Sequence, residues 1–112
     1  MEKTRVVLWV DDLRDPPNRP GEKYLIARSV NEAKALLELT EQDGWSDPID
    51  YIDIDHDAGV YAVAGGDYIN LLNYLEARDG RIYYPIRIHS FNPVGVVNMR
   101  AIIEHNGWEE IR

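Results

Sequence analysis

Three polar clusters close three apolar runs in this chain. Asp11 and Asp12 follow Arg5–Val10; Asp55, His56 and Asp57 end a run that begins at Ile49; His89, Ser90, Phe91 and Asn92 end one that begins at Tyr84. Carboxylates gathered in one place repel each other unless a cation or shared protons intervene. Magnesium takes one or two carboxylates together with water and phosphate oxygens. Ligands of open parallel sheets bind beyond the carboxyl ends of the strands. The predicted site is therefore one for a divalent metal, magnesium or manganese, and a phosphate group.

Each residue carries more than one chemical reading. Asp11, Asp12, Asp55 and Asp57 are the candidate metal ligands. Asp55 suits a ligand, a nucleophile toward phosphorus, or both. His56 suits a ligand or a general acid, because imidazole titrates around neutral pH. Asp57 suits a second ligand, an orienting partner for His56, or a plain turn residue. His89 suits protonation of a leaving oxygen, or a half-buried hydrogen-bonded role. Ser90 can donate a hydrogen bond to phosphate. Arg14 can hold phosphate bidentately or lie free on the surface. Asn92 reads first as a helix N-cap, which would aim free N–H groups and a positive dipole end at the same phosphate. Gly65, Gly66 and Asp67 lack the spacing of a P-loop and read as a turn and cap.

The whole composition sets the limits of function. A chain of 112 residues makes one domain, 1–112, with room for a core. It has no cysteine, which excludes disulfides, thiolate catalysis and cysteine zinc sites. A net charge of −8 disfavours a groove that tracks a long nucleic-acid duplex. No apolar run is long enough for a membrane span or signal peptide, and a cytoplasmic location is expected.

These residues must be positioned by alternating strands and helices. Strands are predicted at 5–10, 24–28, 49–55 and 84–89, with a short last one in 108–111. Residues 13–21 carry Pro16, Pro17 and Pro20 and cannot form an ordinary helix. Ser29 and Glu32 have the spacing of a capping box. The helix after them turns Ala33, Leu36 and Leu37 to one side, and Gly44 is a stop. Asp67 is expected to cap a second helix with Tyr68, Leu71, Leu72 and Leu75 buried, and Asp79–Gly80 to make a turn. Asn92–Pro93 opens a third helix, buries Val96, Met99, Ile102 and Ile103, and ends at Asn106–Gly107. The order predicts a parallel α/β sheet. Strands three and four alternate: Ile52, Ile54, Ile86 and Ile88 point one way, and Tyr51, Asp53, Arg87 and His89 the other. One face is thus expected to be partly open, with Asp53 and Arg87 paired across it and the face available for a homodimer.

The pattern resembles a response-regulator receiver domain, a flavodoxin-like fold. Asp11 and Asp12 match its acidic pair, Asp55 its phosphoacceptor and Ser90 its hydroxyl residue. Residues 13–21 stand where its first helix would be, no Lys ends the last strand, and no fifth helix is expected after Arg112. The truncation agrees with an open face. A closer resemblance is to cyclic-phosphate processing receiver domains. It is carried by Asp11, Asp12, Arg14 and Pro17; by Asp55, His56 and Asp57; by Gly66, Asp67 and Tyr68; and by His89, Ser90, Asn92, Pro93, Gly95, Asn98 and Met99. That resemblance spans residues 5–103. It implies a phosphoesterase acting on cyclic phosphate ends of nucleic acids, with Asp11, Asp12 and Asp55 at a metal and His56 and His89 as acid and base. The expected function is a metal-dependent phosphoesterase for a cyclic phosphate or other small phosphoester. The alternative is a non-enzymatic signalling or interaction module that binds metal or is phosphorylated on Asp55.

Overall fold

The computed structural model describes residues 4–78 and 83–112. It contains a five-stranded, wholly parallel sheet in the order β2-β1-β3-β4-β5. The strands are β1 (Arg5–Val10), β2 (Glu22–Ala27), β3 (Tyr51–Ile54), β4 (Ile86–Ile88) and β5 (Glu110–Ile111). The helices are α1 (Val30–Thr40), α2 (Ile69–Ala77) and α3 (Pro93–Asn106), with a 3-10 helix over Gly59–Ala64. This is an α/β receiver-like fold. Strands β3 and β4 are shorter than the apolar runs that signal them, and β2 starts two residues earlier than its apolar run.

One face of the sheet carries the core. Val6, Leu8, Val10, Ile52, Ile54 and Ile86 pack with Ala33 and Leu37 of α1, Leu71 and Leu72 of α2, and Met99 and Ile103 of α3. Two helix starts follow their expected chemistry. Ser29 Oγ accepts from Glu32 N at 3.0 Å, and Glu32 Oε1 reaches back to Arg28 N at 2.6 Å, one residue before the cap. Asn92 Oδ1 accepts from Gly95 N at 2.9 Å, with Pro93 at the first helical position. Helix α3 stops where Gly107 turns left-handed, while α1 ends at Thr40, short of Gly44.

The start of α2 differs. Its N-cap is Tyr68, with no side-chain cap. Asp67 instead accepts from Ala58 N at 3.0 Å and ties down the segment before the 3-10 helix. Asp67 therefore staples a loop rather than capping a helix. The Asp79–Gly80 turn lies outside the described residues.

The second face is open only in part. Ile26 on the edge strand is 40 % exposed, but Val7, Trp9, Tyr51 and Asp53 in the middle are all buried. The proline-bearing segment 13–21 lies over them. Trp9 Nε1 donates to Arg14 O at 2.9 Å, and Arg19 Nη1 donates to Tyr51 Oη and Asp53 Oδ2, each at 3.3 Å. Glu22 completes this patch by accepting from Tyr24 at 2.7 Å and Tyr51 at 2.6 Å. Asp53 and Arg87 are register neighbours, as the pairing of β3 with β4 requires. The expected ion pair between them does not form, because Arg19 and His89 take the Asp53 oxygens.

Candidate functional site

Strands β1, β3 and β4 lie side by side, so their three polar ends meet. Asp11 is fully buried. Its Oδ1 accepts from Leu13 N at 2.9 Å and Arg14 N at 2.8 Å, the turn that redirects the chain after β1. Its Oδ2 lies 2.8 Å from His89 Nε2. Burial alone would raise the Asp11 carboxyl, but these hydrogen bonds outweigh it and hold the group below its ordinary value. Asp55 uses Oδ1 to accept from its neighbour His56 N at 2.7 Å, which leaves Oδ2 toward the gap. Ligand atoms of Asp11, Asp55 and His89 all fall within 4.8 Å of one another.

A cation already spans this gap. Arg14 places Nε 3.3 Å from Asp11 Oδ2 and Nη2 3.5 Å from Asp55 Oδ2. The same Nη2 donates to His89 O at 3.2 Å, and the guanidinium rests 5.0 Å from the centre of the exposed Phe91 ring. The carboxylate contacts are long for ion pairs, so the guanidinium is held loosely. Were the guanidinium to leave, Asp11 Oδ2 and Asp55 Oδ2 would face one gap as the pair of carboxylate oxygens that suits a hard divalent ion.

A second group of ligand-type side chains forms next to the first: His56, Asp57 and Asp67, again within 4.8 Å. His56 Nδ1 lies 2.8 Å from Asp57 Oδ1, and Asn92 Nδ2 donates to the same oxygen at 3.2 Å. The bond from His56, then that from Asn92, holds Asp57 below its ordinary carboxylate value. Asp57 thus orients His56 and stands apart from the Asp11–Asp55 pair. Asp12 also stays outside that pair's close contacts and points at the 3-10 helix, where its Oδ2 fills the space a β-carbon on Gly59 would need. It is still near enough to act electrostatically. Burial first, then the carboxylates of Asp12, Asp11 and Asp55, push the buried Tyr68 phenol well above its ordinary value, and it donates to Arg28 O at 2.6 Å.

Ser90 Oγ accepts from Asn92 N at 3.2 Å, which leaves its hydroxyl proton for another acceptor. The first turn of α3 offers a phosphate less than expected. Pro93 has no N–H, Gly95 N is taken by the Asn92 side chain, and Val96 N by the Asn92 carbonyl. Asn92 is likewise spent on capping and on Asp57. His89 has both ring nitrogens committed, to Asp11 and to Asp53 at 2.6 Å, and Trp9 stacks on its ring. Asp53 and Arg19 are residues that sequence reasoning did not assign to the site. The available signal was an acid inside an otherwise apolar strand.

The family model of the cyclic-phosphate processing receiver domain matches residues 6–105. The chain belongs to that family. The match covers every cluster described above. Neither the curated proteins nor the solved structures yield a match. Among the described residues of this cyclic-phosphate processing receiver domain, no helix is long and apolar enough to cross a membrane.

Proposed function

We propose that this domain is a divalent-metal-dependent phosphoesterase that opens a cyclic phosphate or hydrolyses a similar small phosphoester. The observation that carries the reading is the convergence of Asp11, Asp55 and His89 beside the Asp57–His56 pair. Simple phosphoacceptance on Asp55 has no use for an oriented second histidine.

In this reading Asp11 and Asp55 hold the metal, and Asp12 adds negative charge behind them. The bound ion would offset the carboxylates and polarise a phosphoryl oxygen. Arg14, 42 % exposed in its side chain, swings from the carboxylates to the phosphoryl oxygens once a cation replaces it. The Ser90 hydroxyl donates to the same group. His56 moves the proton. Asp57 accepts from Nδ1, so Nε2 is the nitrogen that would give its proton to the leaving ester oxygen as water adds to phosphorus and the P–O bond breaks. His89 does not face substrate, because its nitrogens are used. The partner is a small phosphoester or a nucleic-acid end, since a net charge of −8 opposes a long duplex.

The test is hydrolysis of 2′,3′-cyclic nucleotides, a cyclic dinucleotide and an aryl phosphate with magnesium or manganese, against Asp55→Asn and His56→Gln. Turnover above both variants supports the reading. No turnover above Asp55→Asn, together with a stable mass adduct after acetyl phosphate, would replace it with phosphoacceptance on Asp55.

A further inference from the structure

Asp53 is a carboxylate with no solvent exposure, in the middle of the sheet, and neither metal binding nor phosphate binding uses it. Both its oxygens are committed. Oδ1 lies 2.6 Å from His89 Nδ1, and Oδ2 accepts from Arg19 Nη1 at 3.3 Å. A buried charge of this kind gains little stability over a hydrocarbon of similar volume, so stability alone does not account for it. That role lies one ring further on. His89 Nε2 is 2.8 Å from Asp11 Oδ2, and the Trp9 indole lies flat against the imidazole, 4.0 Å between centres and 6° between planes. Trp9 therefore sets the plane of the ring, and Asp53 sets its rotation within that plane.

We propose that Asp53 is a positioning residue which, through His89, fixes the Asp11 carboxylate in the site. Its catalytic consequence rests on the phosphoesterase reading; its orienting action does not. An aspartate can do this because both its oxygens only accept, so it serves Arg19 and His89 together. Asparagine can serve both only if His89 gives up its Nδ1 proton, since the amide nitrogen donates. Arg19 anchors the assembly from the segment 13–21, which links that irregular stretch to the site.

The experiment reads the His89 ring directly, by NMR of protein labelled with 15N-histidine. The wild type is expected to show a low-field, slowly exchanging Nδ1–H proton, assigned by its loss in His89→Gln. Asp53→Asn is expected to lose that signal. In turnover, Asp53→Asn lowers kcat about 10- to 100-fold, the usual effect of removing an outer partner of a metal-site ligand, with a smaller change in KM. In the His89→Gln background it adds no further loss. A wild type without the proton, an Asp53→Asn variant that keeps it, or equal losses in both backgrounds would overturn the proposal. Should wild type turn over no phosphoester, the functional reading falls alone, and the ring proton still decides the role of Asp53. Should Asp53→Asn fail to fold, the wild-type ring proton decides it.

Discussion

Gly95 and His56 are in contact: a methyl group on Gly95 would stand 2.4 Å from Cγ of the imidazole. The backbone at Gly95 is helical, so lack of space, and not strain, keeps this position small. Alanine gains about 1 kcal/mol over glycine in a helix, while an extra methyl in a packed contact costs about 1–3 kcal/mol. Gly95→Ala is expected to lose at most about 2 kcal/mol by urea denaturation. It is expected to push His56 off Asp57 and to cut phosphoester turnover at least about 10-fold, the typical share of a general acid or base being larger still.

Arg14 competes with any cation for Asp11 and Asp55. Arg14→Gln is expected to tighten magnesium or manganese binding in calorimetry, because a positive group leaves the gap, and to raise KM for a phosphoester. Weaker metal binding in this variant would show that the guanidinium organises the carboxylates rather than occupying their place.

The carboxylates should rank in metal affinity. Asp11→Asn and Asp55→Asn remove oxygens that face the gap, whereas Asp12 lies against Gly59 and Asp57 against His56. Calorimetry is expected to give a large loss for the first two and a smaller one for Asp12→Asn and Asp57→Asn.

Acid stability follows from three depressed carboxyls. Glu22 lies below its ordinary 4.5 because bonds from Tyr24, Tyr51 and Arg19 outweigh burial, and Asp11 and Asp57 lie below 3.8. Groups lowered on folding add stability that is complete above their unfolded values and is lost as pH falls through the folded ones. With metal chelated, unfolding free energy should therefore drop on acidification below about pH 4.5, starting with Glu22. Glu22→Gln should flatten the upper part of that limb.

Burial separates two ion pairs by their cost. Glu41 holds Arg78 at 2.8 and 2.9 Å and also accepts from Tyr84, with both charged side chains largely buried. Lys23 and Asp47 pair at 3.1 Å with more than half of each side chain exposed. Glu41→Ala should cost about 3–5 kcal/mol, as for a buried charge left alone. Lys23→Ala should cost about 0–1 kcal/mol. Thermal or urea denaturation of the two variants checks the contrast.

What the sequence made legible was periodic or positional. Alternation and apolar runs located the strands, Ser29 and Asn92 announced two helix starts, and the acids at strand ends marked the candidate site. What stayed hidden depended on irregular backbone. Period two told correctly that Asp53 faces away from the helices, but not that segment 13–21 would cover it. That closure depends on Asn18 at a φ of 54° and on Arg19 reaching over β3. Asp67 carries the residue type of a cap, and only the fold shows that Ala58 N is its partner. His89 offered two readings at equal weight, and only the position of Asp11 and Asp53 on either side of it separates them.

The strand order β2-β1-β3-β4-β5 has a consequence for the birth of the protein. Synthesis releases β1 first, and every later strand then meets an edge that already exists. β2 adds to one side of β1, β3 to the other, β4 to β3 and β5 to β4. The ribosome can therefore hand over this sheet one strand at a time. The last of the three site clusters to emerge is the one bearing His89, so the acids of β1 and β3 wait for their imidazole until β4 has been made.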